Sequence, residues 1–340
     1  MMKKIGWVVL IIIGVLIIYF HELIGYGIAQ GKGQFHVLRN AHPIEEVLNN
    51  PTVADSVKQR LLVVNEIRNF AFDSLGLTPT KNYTTYFDQH GKEILWVVTA
   101  CAPYKFEPKE WSFPIIGSFT YKGYFDVDKA TQLATQLKEE GFDVEMSPVS
   151  GWSTLGWFKD PVLSNMLEGS VGSMSNTLIH ELTHGTVFVP DSMTFNENLA
   201  SFIGRKGAFK FLEFKYGNRS QEAKDYAIIL SDSEKFTKFM VHSANLLDSI
   251  YQTIEAYSLE EKEEYKVAFM ASFKQNIDTV NFNNTERFKR LFNGLEMNNA
   301  GFISFLNYRE RQNELDVQLK EEFNSDLSKF IAHWKTRYPN

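Results

Sequence analysis

Thr177-Leu178-Ile179-His180-Glu181-Leu182-Thr183-His184 lies near the middle of a chain of 340 residues. Apolar Met174, Leu178 and Leu182 recur with helical spacing and Gly185 follows as a stop, so the stretch predicts a helix. Residues four apart share a helix face, and the His180 and His184 imidazoles therefore project together, near enough to hold one zinc ion. Glu181 then lies beside the metal. Metal-assisted hydrolysis needs this set: two neutral nitrogen ligands and a carboxylate placed to take a proton from a metal-bound water. With 8 His and 27 Glu in the chain, chance supplies only about 0.015 such His-Glu-x-x-His matches.

A catalytic zinc usually has three protein ligands and an open position. Thr194-Phe195-Asn196-Glu197-Asn198-Leu199-Ala200 opens the next helical pattern, and its Asn-Glu-x-x-Ala run resembles the third-ligand pattern of the Glu-zincins, with Glu197 as the ligand. The competing reading is a capping box, in which Thr194 caps the helix and Glu197 bonds only the cap amide. Pro190 and Asp191 predict a turn in the short connection between the two helices.

Outward from these helices the chain divides. From about residue 170 onward the pattern is almost entirely helical. Upstream, two helices broken at Pro51 and closed at Gly76 are predicted over residues 43–75. A hairpin of Tyr83–Phe87 with Ile94–Val98 follows, turning at Asp88-Gln89-His90-Gly91. A helix from Val127 to Glu140 and strands at Asp143–Ser147 and Gly151–Phe158 come next. Strands in one half and helices in the other indicate one compact α+β unit.

Composition narrows the function classes. A formal charge of -6 repels a phosphate backbone, which disfavours nucleic acid as a partner. The single cysteine, Cys101, permits no intrachain disulfide, and its apolar surroundings make it a buried hydrophobe. Lys3 and Lys4 precede a charge-free run from Ile5 to Phe20, which predicts a single-pass membrane anchor over residues 1–25. The lysines place the remainder on the extracytoplasmic side. Cleavage as a signal peptide is the alternative. The runs Glu260–Glu264 and Lys320–Glu322 read as solvated helix faces.

Several stretches together resemble the bacterial predicted aminopeptidases of the Glu-zincin group: Gly33-Gln34, His42–Leu48, Tyr121–Asp126, Ser153–Pro161, the His180 motif, Phe195-Asn196-Glu197 and Asn298-Asn299-Ala300. The resemblance implies a zincin-like catalytic domain over residues 30–340, strand-bearing at about 80–160 and helical at about 165–340. It would carry a small mixed sheet and one zinc per chain on His180, His184 and Glu197. It also implies zinc-dependent peptide-bond hydrolysis, as an aminopeptidase, with Glu181 as general base; a zinc endopeptidase, another zinc hydrolase and a non-catalytic envelope scaffold are the alternatives. Some members of that family carry cysteines near Ser112 and Ser118, and many carry a lipid-anchoring cysteine that this chain lacks.

Two further expectations concern substrate. The Ser153–Phe158 strand, with Gly156 allowing close backbone approach, reads either as an edge that binds an extended peptide or as an ordinary core strand. Stabilising the tetrahedral oxyanion calls for a further donor, for which Tyr308 is the first candidate and His242 the second.

Overall fold

The computed structural model describes residues 19–113, 117–149, 159–190, 192–286, 288, 292, 297–307 and 312–340. The first half alternates short strands with helices: α1 (His21–Asn40), β1 (His42–Pro43), α2 (Ile44–Asn49), α3 (Asp55–Asp73), β2 (Thr85–Phe87), β3 (Trp96–Cys101), β4 (Trp111–Phe113), β5 (Gly117–Phe119), β6 (Tyr121–Tyr124), α4 (Val127–Glu139), β7 (Asp143–Pro148) and β8 (Val162–Leu163). The described remainder is helical: α5 (Val171–His184), α6 (Met193–Tyr216), α7 (Gln221–Thr253), α8 (Leu259–Asn276), α9 (Asn299–Asn307), α10 (Gln312–Phe323) and α11 (Leu327–Arg337).

The N-terminal expectation is corrected. Residues 1–18, most of the proposed anchor, lie outside the described residues, and no helix among those described is long and apolar enough to cross a membrane. Helix α1 instead lies on the folded body. Tyr26 donates its hydroxyl to Gly123 O at 2.8 Å, and the Gln30 amide donates to the same oxygen at 3.0 Å. Val37 is buried, and Gly33 sits so close to Phe125 that a Cβ would fall 2.2 Å from the ring. The physical reason lies in the described end of the expected anchor, which opens this helix with His21 and Glu22, polar side chains that are costly in hydrocarbon.

The sheet expectation also changes. Among the described residues three small sheets stand where one was expected, with strand orders β1-β2-β8, β6-β3-β7 and β4-β5. The predicted hairpin does not form: His90 and Gly91 turn the chain with positive φ, but β2 pairs with β1 and β8 while β3 pairs with β6 and β7. Alternating apolar residues fix that a segment is extended without naming its partner. Gly151–Phe158, including the Ser153–Phe158 stretch, lies outside the described residues.

In the β6-β3-β7 sheet, Val98, Ala100, Tyr124 and Val144 form one core with Ala130, Ala134 and Leu137 of α4. The opposite side carries Cys101, buried against Ala300 and Ile303 of α9. In the β4-β5 hairpin Ser112 lies opposite Ser118, their hydroxyls 2.8 Å apart. The largest core gathers Leu61, Val64 and Ile67 of α3, Leu178, Ile179 and Leu182 of α5, Phe202 and Ile203 of α6, and Phe330 and Ile331 of α11. Each such side chain contributes about 1.5–3 kcal/mol on burial. A second, phenylalanine-rich core joins α7, α8 and α9.

Candidate metal centre

Helix α5 starts at Ser170, whose hydroxyl accepts from Ser173 N. Met174, Leu178, Ile179 and Leu182 seat one side of this helix in the main core. Because the helical repeat sets His180 and His184 about half a turn away from that stripe, burying the stripe aims both imidazoles at α6. The two helices approach closely there. A Cβ on Gly204 of α6 would stand 2.8 Å from Asn176 O and 3.1 Å from His180 Cβ, so only glycine fits without spreading the pair.

Asn196 fixes the connection between them. Its side chain accepts from Val189 N at 2.9 Å and donates to Val189 O at 2.8 Å, clasping the short link just before Glu197. The chain terminus closes the same link from outside: Asn340 donates to His184 O at 2.7 Å, and Phe188 N donates to Tyr338 O at 3.2 Å. Asn196 is thus a scaffold residue, one whose role no local pattern announces.

These constraints bring Glu197 onto the histidines. One carboxylate oxygen lies 3.4 Å from His180 Nε2, the other 3.5 Å from His184 Nε2, and the two Nε2 atoms are 3.2 Å apart. The capping-box reading falls away, because α6 is capped at Ser192 with no side-chain hydrogen bond. The three side chains form a group able to hold a metal ion. Around a tetrahedral zinc with bonds of about 2.0–2.1 Å, neighbouring donors stand about 3.3–3.4 Å apart. Each imidazole has one or other oxygen of Glu197 near that distance, and with one donor atom per residue the three lie within 4.8 Å of one another, so the donor set fits a metal ion such as zinc in chemistry and in size. Ser201 Oγ lies 3.4 Å from His180 Nδ1; a ring offering Nε2 to a metal carries its proton on Nδ1 and donates it to this oxygen, which fixes the ring.

The electrostatics follow from burial. Glu181 is buried, which raises its pKa; His180 and His184 pull it down without cancelling the rise, and Glu197 adds to it. For Glu197 burial acts upward too, but hydrogen bonds from His180 and His184 outweigh it and hold the carboxyl well below its usual range. Burial would depress His184, yet Glu197, with Glu181 behind it, raises it. Two carboxylates and two imidazoles converging in a dry site make a strong cation trap.

Two tyrosines of the strand-bearing half feel the carboxylates of this site electrostatically. The Tyr121 phenol is raised by burial and then by the carboxylates of Glu197 and Glu181. Tyr83 is 1% exposed with its hydroxyl unpartnered and its backbone at φ 59, and burial, Glu181 and Asp160 raise it further. Of the expected oxyanion donors, Tyr308 lies outside the described residues, and His242 is exposed on α7.

Residues 25–337 match the model of a protein family described as "Putative aminopeptidase". The chain belongs to this family. Membership indicates peptidase activity, and no curated protein and no solved structure matches the chain.

Proposed function

We propose that this family member hydrolyses peptide bonds as a zinc-dependent aminopeptidase, with zinc held by His180, His184 and Glu197 and with Glu181 as general base. The observation that carries this reading is the group of His180, His184 and Glu197, one donor atom of each lying within 4.8 Å of the others, beside the buried carboxylate of Glu181. Zinc bound there would polarise a substrate carbonyl and bring the pKa of a water towards about 7.

The chain's own residues do the rest. Glu181, one residue beyond His180, is placed to accept the proton of the attacking water and to return it to the departing nitrogen. In the metal-free chain its pKa is shifted upward, first of all by burial. Ser201 and the core stripe of α5 keep the imidazoles from rotating away. Burial of Glu181 and His184 excludes bulk water, which strengthens each charge interaction within the site.

Glu181→Gln tests the assignment. This variant is expected to retain one zinc per chain while kcat on unblocked peptides falls by about 10²–10⁴-fold. Undiminished turnover would overturn the mechanism. Parallel digestion of free-amine and N-acetylated peptides checks the exopeptidase part, since an enzyme that ignores the blocking group recognises no amino terminus.

A further inference from the structure

His184 and Glu197 stand at the two ends of one short link. His184 is the last residue of α5, and Glu197 lies in the opening turns of α6, a helix without a side-chain cap. Helix ends leave backbone groups unpaired and fray, so donors placed there keep a fixed separation only if something outside both helices holds them. The end of α11 and the residues after it do so. Asn340 donates its side-chain amide to His184 O at 2.7 Å and its backbone N–H to Thr186 O at 3.4 Å. Val187 pairs with Pro339 in an antiparallel bridge, and Phe188 N donates to Tyr338 O at 3.2 Å. On the other side of the link, the Trp334 ring lies 4.9 Å from that of Phe195, two residues before Glu197.

This segment is itself anchored. Phe330 and Ile331 of α11 are fully buried in the main core. Lys335 Nζ donates to Gly76 O at 3.1 Å, which ties α11 to the stop of α3, and Tyr338 stacks on Trp334 at 6.1 Å. The link is held from within as well: the Thr186 hydroxyl accepts from Thr78 N at 3.0 Å and donates to Leu182 O at 2.9 Å. A metal's apparent affinity falls with the fraction of chains whose donors are in place. One hydrogen bond of ordinary net strength shifts such an equilibrium by about 2- to 12-fold.

We propose that residues 334–340 form a strap that sets how tightly the centre holds its metal, with Asn340 as the positioning residue for His184. Asn340 bonds the backbone of a ligand and acts through it. The proposal rests on the metal reading above. Because coupling between two sites is reciprocal, an occupied centre holds the strap down by the same factor as the strap tightens the centre. Drawing the strap away releases the metal while the core of α3, α5, α6 and α11 stays folded.

The test compares the wild type with a chain lacking Tyr338, Pro339 and Asn340 and with Asn340→Ala, zinc affinity being measured by competition with a chromogenic chelator. The zinc dissociation constant should rise by about 10- to 100-fold in the shortened chain and by about 2- to 12-fold in Asn340→Ala, while Asn340→Gln, which keeps the amide, should restore part of the loss. At saturating zinc the variants should recover kcat to within about threefold of wild type, because they lose occupancy and not chemistry. In the wild type, zinc should slow amide exchange at Phe188, whose N–H the strap holds, and a chelator should reverse the effect. A shortened chain that folds and binds zinc within about twofold of the wild type overturns the proposal. So does a kcat that excess zinc fails to restore. Exchange at Phe188 that ignores zinc overturns it too, and that measurement needs no variant. A wild type that binds no zinc removes the metal-centre reading itself, whereas equal zinc affinity in all the proteins removes only the role of the strap.

Discussion

Where β7 meets α8 and α9, Lys266 Nζ meets Asp143 Oδ1 at 2.6 Å, and the second carboxylate oxygen accepts from Asn299 N at 2.8 Å. Asn299 also donates to Ala102 O and Pro103 O and accepts from the Tyr251 hydroxyl, while Asn298 donates to Val144 O. At the candidate metal centre, by contrast, two imidazoles and the carboxylate of Glu197 face one another, one donor atom of each lying within 4.8 Å of the others, with Glu181 next in sequence to His180. Both clusters are buried. The first closes on itself, each charge being met by its opposite within the chain, and so it locks the helical lobe to the sheet. The second sets two carboxylates against two imidazoles, whose charge is offset either by protonating a ring or by a bound cation, an arrangement that pure stability would not select. Buried polarity that is complete reads as structure, and buried polarity that sets donor atoms together reads as a site.

Removing a ligand should expose the difference most strongly. His180→Ala is expected to abolish stoichiometric zinc binding and lower kcat/KM by about 10³-fold or more, because the Lewis acid goes with the ligand. In thermal unfolding, a chelator should destabilise the wild type and leave the variant unaffected. A variant that still binds one zinc would mean that this group is not the site.

Breaking the junction should do the reverse. Lys266→Met leaves Asp143 without its cation and is expected to cost about 3 kcal/mol of stability, read from denaturant midpoints, with zinc affinity unchanged. Equal loss of zinc and stability would show the two clusters to be one cooperative unit, and the contrast drawn above would fail.

The smallest effect concerns a cluster of the closed kind, Asp232 on α7. Its carboxylate accepts from Asn283 N at 2.7 Å, from the Asn283 amide at 2.8 Å and from Asn284 N at 2.9 Å. Burial raises its pKa, but these hydrogen bonds and Lys235 outweigh burial and lower it. A lowered folded-state pKa means stability that is present above the unfolded value of about 3.9 and lost as pH falls through the folded one. Wild type should therefore exceed Asp232→Asn by about 1 kcal/mol at pH 7, with the gap shrinking below about pH 4. A gap that is constant with pH would show that the ionised form is not what the loop binds.

The contrast also explains what could be read in advance. His180, Glu181 and His184 were legible because their spacing is a property of one helix. The ends of that helix, the break at Pro51 and the stop at Gly76 were legible for the same reason, and Gly76 does adopt φ 79. Glu197 was only half legible: the same four residues suit a cap or a ligand, and the choice depends on where α6 lies relative to α5. Hairpin pairing was misread because strand partners lie far apart in sequence. Lys266 sits two residues from the charged run Glu260–Glu264 and is nevertheless buried, 123 positions from its partner.

By itself the sequence determined the helix, the two imidazoles on one face of it, the carboxylate beside them and the absence of an intrachain disulfide, since spacing and composition suffice for each. Tertiary structure alone decided that Glu197 meets the two histidines and that Gly204 and Asn196 hold α5 and α6 at the required separation. Those contacts join residues from 7 to 28 positions apart, and their energy exists only once the chain has closed the intervening loops.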